Sequence, residues 1–217
     1  SLGLVGSEMC IRDRYKGINK ALKKYGGIIL GGDCSKGNQK AISITALGIQ
    51  GELELRREAC KPGEIILTTG IHGLSKLGFM IQSKMNFDNN ISLNERLISK
   101  SIEHFCRPKV YPNFLKNLLK TRSNKKIKKL GCTDSSDGLF QAVKDLAMAS
   151  KCKAILNYEK IPKDKDWPKG DKWDEYYFFG GEDYELVFSL PKKWARNLIS
   201  LDTVSYTHLT LPTIVSV

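Results

Sequence analysis

The chain lacks most of the short patterns that reveal an activity directly. Its six cysteines are scattered and include no Cys-x-x-Cys pair, which argues against a zinc framework and against a disulfide scaffold. The three histidines, His72, His104 and His208, share no metal-ligand spacing. Neither a Walker-type glycine loop nor Gly-x-Gly-x-x-Gly occurs. A nucleotide would therefore need a different kind of site.

Long apolar runs are also missing. No segment approaches the ~18 apolar residues of a membrane span, and the first residues lack the basic start and apolar run of a signal peptide. We therefore expect a cytoplasmic protein without a membrane partner. Acidic residues are outnumbered, and the formal net charge of +12 suggests anionic partners, which include nucleotides and phosphates as well as nucleic acids.

Much of the positive charge lies between residues 116 and 129. Leu118 and Leu119 share the first half of this segment, so we interpret it as a solvated helix face followed by a polar loop. No aromatic residues interleave with the lysines to stack on bases. We therefore expect no nucleic-acid partner, and a basic nucleic-acid-binding protein stays an alternative.

The most informative stretch is 133–139, TDSSDGL. Asp134 and Asp137 flank two serines, and an apolar-periodic segment follows from Leu139, as at the start of an amphipathic helix. Two carboxylates about 5 Å apart repel by roughly 3 kcal/mol at an effective dielectric near 20, so a fold that keeps both ionised needs a cation. Oxygen-only ligands suit Mg²⁺. The competing interpretation is that Asp134 or Ser136 merely caps the helix.

Two further acidic turns have the same character. Residues 180–186 read GGEDYEL and residues 31–33 read GGD, each beside a strand-like run. Three glycine-flanked acidic turns are difficult to explain as helix caps. Together they favour a site at which metal ions bind phosphate groups.

Strand-like and helix-like segments alternate along the chain, which predicts an α/β or α+β fold. Helices are predicted over 15–25 and 93–105, after Gly70, after Gly138 and from Pro191. Strands are predicted over 28–30, 41–48, 65–70, 154–156 and 185–190. A composition shift near Gly51 places a domain boundary there.

The two ends have an unusual character. Residues 1–14 and 204–213 resemble peptides that arise when sequencing-adapter DNA is translated. We therefore expect the segments 1–14 and 202–217 to be non-native additions. The alternative is an ordinary N-terminal arm and a C-terminal strand rich in Thr and Val.

Between these ends, the order of motifs resembles the thiamine-monophosphate kinase family over about residues 15–200. The motifs are GGD at 31–33, a strand ending at 47–48, KPG at 61–63, SDGL at 136–139 and GGEDYEL at 180–186. The resemblance implies the two-domain fold of aminoimidazole ribonucleotide synthetase. Residues 15–52 would be a remnant of the N-terminal ATP-binding and dimerisation domain, and residues 53–201 the C-terminal α/β domain.

The resemblance also implies an activity: transfer of the terminal phosphate of ATP to thiamine monophosphate, assisted by Mg²⁺, in a protein that is a homodimer at full length. It places Asp33, Asp134 and Asp137 on the metal ions, the last two as the catalytic pair. Gly32, Asp33, Arg57 and Ser136 would contact ATP. Glu182 would contact the thiamine moiety, with Asp183 and Tyr184 shaping its turn.

Several departures from the family pattern matter. Cys34 and Ser35 stand where the family has two threonines, and Arg57 is followed by Glu-Ala-Cys instead of Ser-Gly-Ala. The Gly-Asp-Asp turn of the family has no counterpart before Tyr15. We therefore expect this chain to be incomplete for activity. A sibling ATP-dependent synthetase and an inactive fragment stay alternatives.

Overall fold

The computed structural model describes residues 2–35, 37–39, 41–83, 93–109, 111–201, 207–208 and 215–216; for 2–10, 160, 207–208 and 215–216 it describes the backbone only. The chain divides into two units, Ser1–Gly48 and Ile49–Val217. Each is described by itself. The assignment of 15–52 and 53–201 as domains stays a prediction.

The first unit contains one long helix, α1 (Leu2–Tyr25). The helix confirms the prediction for 15–25 and extends into the adapter-like segment. It ends at Gly26 and Gly27, which both have positive φ, and the Gly26 amide donates a hydrogen bond to the Leu22 carbonyl. Glycine adopts this left-handed backbone without strain.

The strands predicted over 28–30 and 41–48 are wrong. All described residues from 26 to 48 have irregular backbone, and the large apolar side chains there are exposed. A strand needs a neighbour that pairs with its amides and carbonyls. Within the described residues no strand pairs with either segment.

The second unit is built on a five-stranded sheet of order β1-β3-β5-β2-β6. Its strands are β1 (Glu54–Arg56), β2 (Ile65–Thr68), β3 (Lys129–Asp134), β5 (Leu186–Leu190) and β6 (Thr207–His208). The β1–β3 pair is parallel, and the other pairs are antiparallel. A separate two-stranded pair joins β4 (Cys152–Lys153) to β7 (Val215–Ser216).

Helices cover both faces of this sheet because its central strands are apolar on both sides. On one face, Ile66 and Val187 pack with residues of α2 (Leu74–Gln82), α3 (Glu95–Cys106), α5 (Leu139–Ala149) and α6 (Asp171–Phe179). On the other face, Leu67 and Phe188 pack against α4 (Phe114–Thr121) and α7 (Lys192–Ile199). None of the helices within the described ranges has the length and apolar character needed to cross a membrane.

Most predicted elements of this unit are confirmed, with one exception. The strand predicted over 154–156 is wrong, because the two-residue β4 precedes it and residues 154–157 are irregular. Strands β1 and β3 and helix α6 were not predicted. The end of α6 (176–179) is a continuous aromatic run without helical periodicity, although Trp173 and Tyr177 are buried one turn apart.

Candidate active site

Residues 134–138, which we call the aspartate loop, connect β3 to α5. The Ser135 amide donates to the Glu185 carbonyl at 2.9 Å, and the Glu185 amide donates to Ser135 Oγ at 3.1 Å. Ser135 is buried, whereas Asp134 and Asp137 on either side of it are exposed. The reciprocal bonds therefore fix the loop while leaving both carboxylates on the surface.

Neither Asp134 nor Ser136 caps α5. The residue at the N-cap is Gly138, with φ of 95°, and no side chain accepts a hydrogen bond from the first turn. The Gly138 amide donates instead to the Ser135 carbonyl at 3.1 Å. The capping interpretation is therefore wrong. Within the described residues, the Asp137 carboxylate has no hydrogen-bond or ion-pair partner.

Arg57 lies beside the aspartate loop, in a short 3₁₀ helix after β1. Its Nε donates to Thr133 Oγ1 at 3.0 Å. Its Nη2 lies 3.9 Å from Asp134 Oδ1, and its Nη1 lies 3.8 Å from Asp145 Oδ2. The sequence connects Arg57 with this loop only through the family resemblance. The structure shows that the two are adjacent.

The acidic turn at 180–185 packs directly on the aspartate loop. The Glu182 amide donates to the Ser136 carbonyl at 2.8 Å. Glu182 and Tyr184 have φ of 69° and 52°, a left-handed conformation that costs free energy for residues other than glycine. The exposed Tyr184 hydroxyl donates to Glu182 Oε2 at 2.5 Å, and this bond raises the pKa of Tyr184.

Asp183, between these two residues, is buried and anchors the turn. Its Oδ2 accepts from the Gly73 amide at 2.6 Å and its Oδ1 from the Ser75 amide at 2.9 Å. Gly73 is at the N-cap of α2, so Asp183 satisfies the amides that this helix end leaves free. Burial raises the pKa of Asp183 to about 6.

A buried polar network surrounds Asp183, and sequence reasoning missed it. Ser75 Oγ lies 3.1 Å from His104 Nδ1, and Thr68 Oγ1 lies 2.9 Å from His72 Nε2. Tyr111 donates to Glu185 Oε1 at 3.1 Å. Burial lowers the pKa of His72 to about 4, so this ring is neutral at pH 7. The network joins residues 68–75 to residues 104, 111 and 183–185, which are far apart in sequence, so no local pattern could have connected these three groups.

In the second unit, the structure thus brings Arg57, Asp134, Ser136, Asp137 and Glu182 together around the end of β3 and the loop that follows it. Gly32 and Asp33 belong to the first unit, where they lie in exposed, irregular backbone. No three His, Cys, Asp or Glu side chains of the described ranges are grouped closely enough to hold a metal ion. Joint metal binding by Asp33, Asp134 and Asp137 stays a prediction.

No family model matches the chain. Two curated relatives are informative. The chain is 41% identical over 182 residues to the thiamine-monophosphate kinase of Prochlorococcus marinus, and 30% identical over 188 residues to that of Synechococcus elongatus. The chain is homologous to thiamine-monophosphate kinases. These alignments cover 84% and 86% of this chain but 55% and 56% of the relatives, so the chain spans about half the length of the curated relatives it matches.

Solved structures agree on the fold. The thiamine-monophosphate kinase of Stenotrophomonas maltophilia aligns with a TM-score of 0.58 and 19% identity, over 75% of this chain and 51% of that one. AaThiL, complexed with AMPPCP and TMP, aligns with a TM-score of 0.56 and 23% identity, over 75% of this chain and 48% of that one. A chain of a HypE–HypF complex aligns with a TM-score of 0.50 and 12% identity, over 75% of this chain and 50% of that one. The prediction of an aminoimidazole ribonucleotide synthetase-like fold, present in part, is confirmed.

Proposed function

We propose that this chain is part of an enzyme that transfers the terminal phosphate of ATP to thiamine monophosphate and forms thiamine diphosphate. The observation that carries the proposal is the 41% identity to a thiamine-monophosphate kinase across 84% of the chain. The AaThiL structure supports it, because that protein holds AMPPCP and TMP together. We further propose a cytoplasmic location and, at full length, a homodimer.

Asp134 and Asp137 suit a role as ligands of Mg²⁺. Both carboxylates are exposed, and that of Asp137 has no partner within the described residues. Mg²⁺ binds through one or two carboxylates together with waters and substrate phosphates, and Asp33 would add a third carboxylate. Mg²⁺ bound there would neutralise the charge that develops on the transferred phosphate.

The remaining site residues would position the two substrates. Arg57 and Ser136 adjoin the carboxylates and would contact the ATP phosphates, with Gly32 near the nucleotide. Glu182 would contact the thiamine moiety, since a carboxylate suits its cationic ring. Phosphoryl transfer depends mainly on such positioning and on charge stabilisation, so no side chain of this set needs to form a covalent intermediate.

The test is Asp137→Asn in the full-length protein that contains this chain. We expect formation of thiamine diphosphate from ATP and thiamine monophosphate, followed by chromatography, to fall by at least about 100-fold, as for the loss of one catalytic electrostatic contact. Asp171→Asn, at an exposed aspartate of α6, is the matched control and should leave turnover intact. Unchanged turnover in Asp137→Asn would show that the site assignment is wrong.

A substrate panel separates this activity from that of a sibling synthetase. We expect ATP to be consumed with thiamine monophosphate, and not with formylglycinamidine ribonucleotide or selenide. ATP consumption that depends on either of the latter would replace the proposal with the sibling reaction.

A further inference from the structure

Arg57 is held more firmly than its exposure suggests. Its side chain is 56% exposed, yet Nε donates to Thr133 Oγ1 and Nη1 faces Asp145 Oδ2. The Arg57 carbonyl also accepts from Ser150 Oγ at 2.9 Å. Strand β3 and helix α5 therefore restrain both the side chain and the backbone of one exposed arginine.

Asp145, on α5, is itself fixed. Its Oδ1 accepts from Gln141 Nε2, one turn earlier in the same helix, at 2.6 Å. Its Oδ2 is thereby turned toward Arg57, at 3.8 Å from Nη1, and the side chain is only 31% exposed. Each carboxylate oxygen of Asp145 has one partner, which distinguishes it from a mobile surface carboxylate.

We propose that Asp145 is a positioning residue for Arg57, which it holds so that the guanidinium edge beside Asp134 faces the phosphates of the nucleotide. The inference rests on the proposed function, which assigns Arg57 to ATP. A guanidinium is planar, permanently charged and suited to bidentate contact with phosphate. Fixing it beforehand lowers the entropy lost when the nucleotide binds.

The first experiment measures binding of Mg²⁺–AMPPCP by calorimetry. We expect Asp145→Asn to weaken binding about 3- to 10-fold and to leave adenosine binding unchanged, because only the phosphates lose their contact. Glu175→Gln, at an exposed carboxylate on α6, is the matched control. In an Arg57→Ala background, Asp145→Asn should add nothing, since residues that act through one another are not additive.

Two binding results would overturn the proposal. Tighter binding of Mg²⁺–AMPPCP in Asp145→Asn would mean that the carboxylate mainly repels phosphate. An equal loss in the presence and absence of Arg57 would mean that Asp145 acts independently of that residue.

A second readout needs no nucleotide. In ¹⁵N spectra, we expect the Arg57 Nε–H signal to exchange faster with water in Asp145→Asn and in Thr133→Val, but not in Glu175→Gln. If the protein binds no AMPPCP and this signal still responds, the proposed function fails while the restraint of Arg57 stands. If the signal is the same in Asp145→Asn and in the unmodified protein, the positioning role is wrong whether or not nucleotide binds.

Discussion

Asp183 links the acidic turn to the N-terminus of α2, and it does so from a buried position. Its two oxygens accept from the Gly73 and Ser75 amides. Replacing it with alanine leaves both amides without their acceptor, and each unsatisfied buried donor costs about 1–3 kcal/mol. We expect Asp183→Ala to lower the free energy of unfolding by about 2–4 kcal/mol, measured by urea titration.

Asn94 supplies the comparison for this prediction. It caps α3 from an exposed position, where its side chain accepts from the Arg96 amide at 2.8 Å. Asn94→Ala should cost only about 1 kcal/mol. If the two substitutions cost the same, Asp183 is an ordinary cap and does not anchor the turn.

His72 and Asp183 make opposite contributions to stability as pH changes. The folded His72 takes up a proton only near pH 4, whereas the unfolded chain does so near 6.5, so its contribution falls as pH drops through this range. Folded Asp183 keeps its proton up to about pH 6, whereas the unfolded chain loses it near 3.8, so its contribution falls as pH rises from 3.8 to 6.

Removing either group should therefore change how the free energy of unfolding varies with pH, in a direction that the two pKa shifts fix. Urea titrations between pH 4 and 6.5 should show that His72→Gln becomes less stable with rising pH, relative to the unmodified protein. Asp183→Asn should show the reverse. The two variants serve as each other's control, and parallel profiles would contradict the assignment.

At the residue scale, the sequence identified the site carboxylates but not the residues that hold Arg57 beside them. Asp134, Asp137 and Glu182 lie in glycine-flanked motifs that can be recognised in the sequence. Asp145 and Thr133 act through contacts that only the packing of α5 and β3 creates. Local patterns carry no information on such pairings, because the partners of Arg57 lie 76 and 88 positions away along the chain.

Helices α2 and α3 meet at Gly78. A Cβ at this position would lie 2.2 Å from the Ser101 carbonyl oxygen and 2.8 Å from the Phe105 Cβ. These neighbours belong to a helix and cannot move independently. We expect Gly78→Ala to destabilise the second unit by about 1–3 kcal/mol through overpacking, measured by urea titration followed by tryptophan fluorescence.

Gly17 provides the helical control for this prediction. It lies in α1, where an added Cβ would meet nothing within 4 Å. Gly17→Ala should therefore increase helix content, detected by far-UV circular dichroism, because alanine is favoured over glycine by about 1 kcal/mol in a helix. A neutral or stabilising Gly78→Ala would contradict the close packing of α2 and α3.

At the element scale, prediction succeeded where periodicity and boundary residues agreed. Helix α7 follows Pro191, and α5 follows Gly138 with its apolar residues at helical spacing. Prediction of secondary structure failed for residues 28–30 and 41–48, which have strand-like composition but no partner strand in the described part of the chain. Pairing is a property of the tertiary structure, so β-composition alone could not decide it.

At the scale of the whole molecule, the first unit exposes apolar residues that a stable strand would bury. Ile42 and Ile44 are 64% and 75% exposed and lie two positions apart in the irregular segment 41–48, so a strand formed there would place both on one face. Exposed apolar side chains next to unpaired backbone groups favour association with another chain. We expect the protein to self-associate with increasing concentration, measured by sedimentation velocity, and Ile42→Lys with Ile44→Lys to suppress this.

The control for self-association comes from the second unit. Met148 and Leu115 are also exposed, but both lie on helices whose backbone is already hydrogen-bonded. Lysine at these two positions adds the same charge and should leave the sedimentation unchanged. If both pairs of substitutions suppress association equally, net charge is responsible and the segment 41–48 has no special role. If only lysine at positions 42 and 44 suppresses association, the 41–48 segment is the surface through which the chains associate, as expected for a segment without a partner strand.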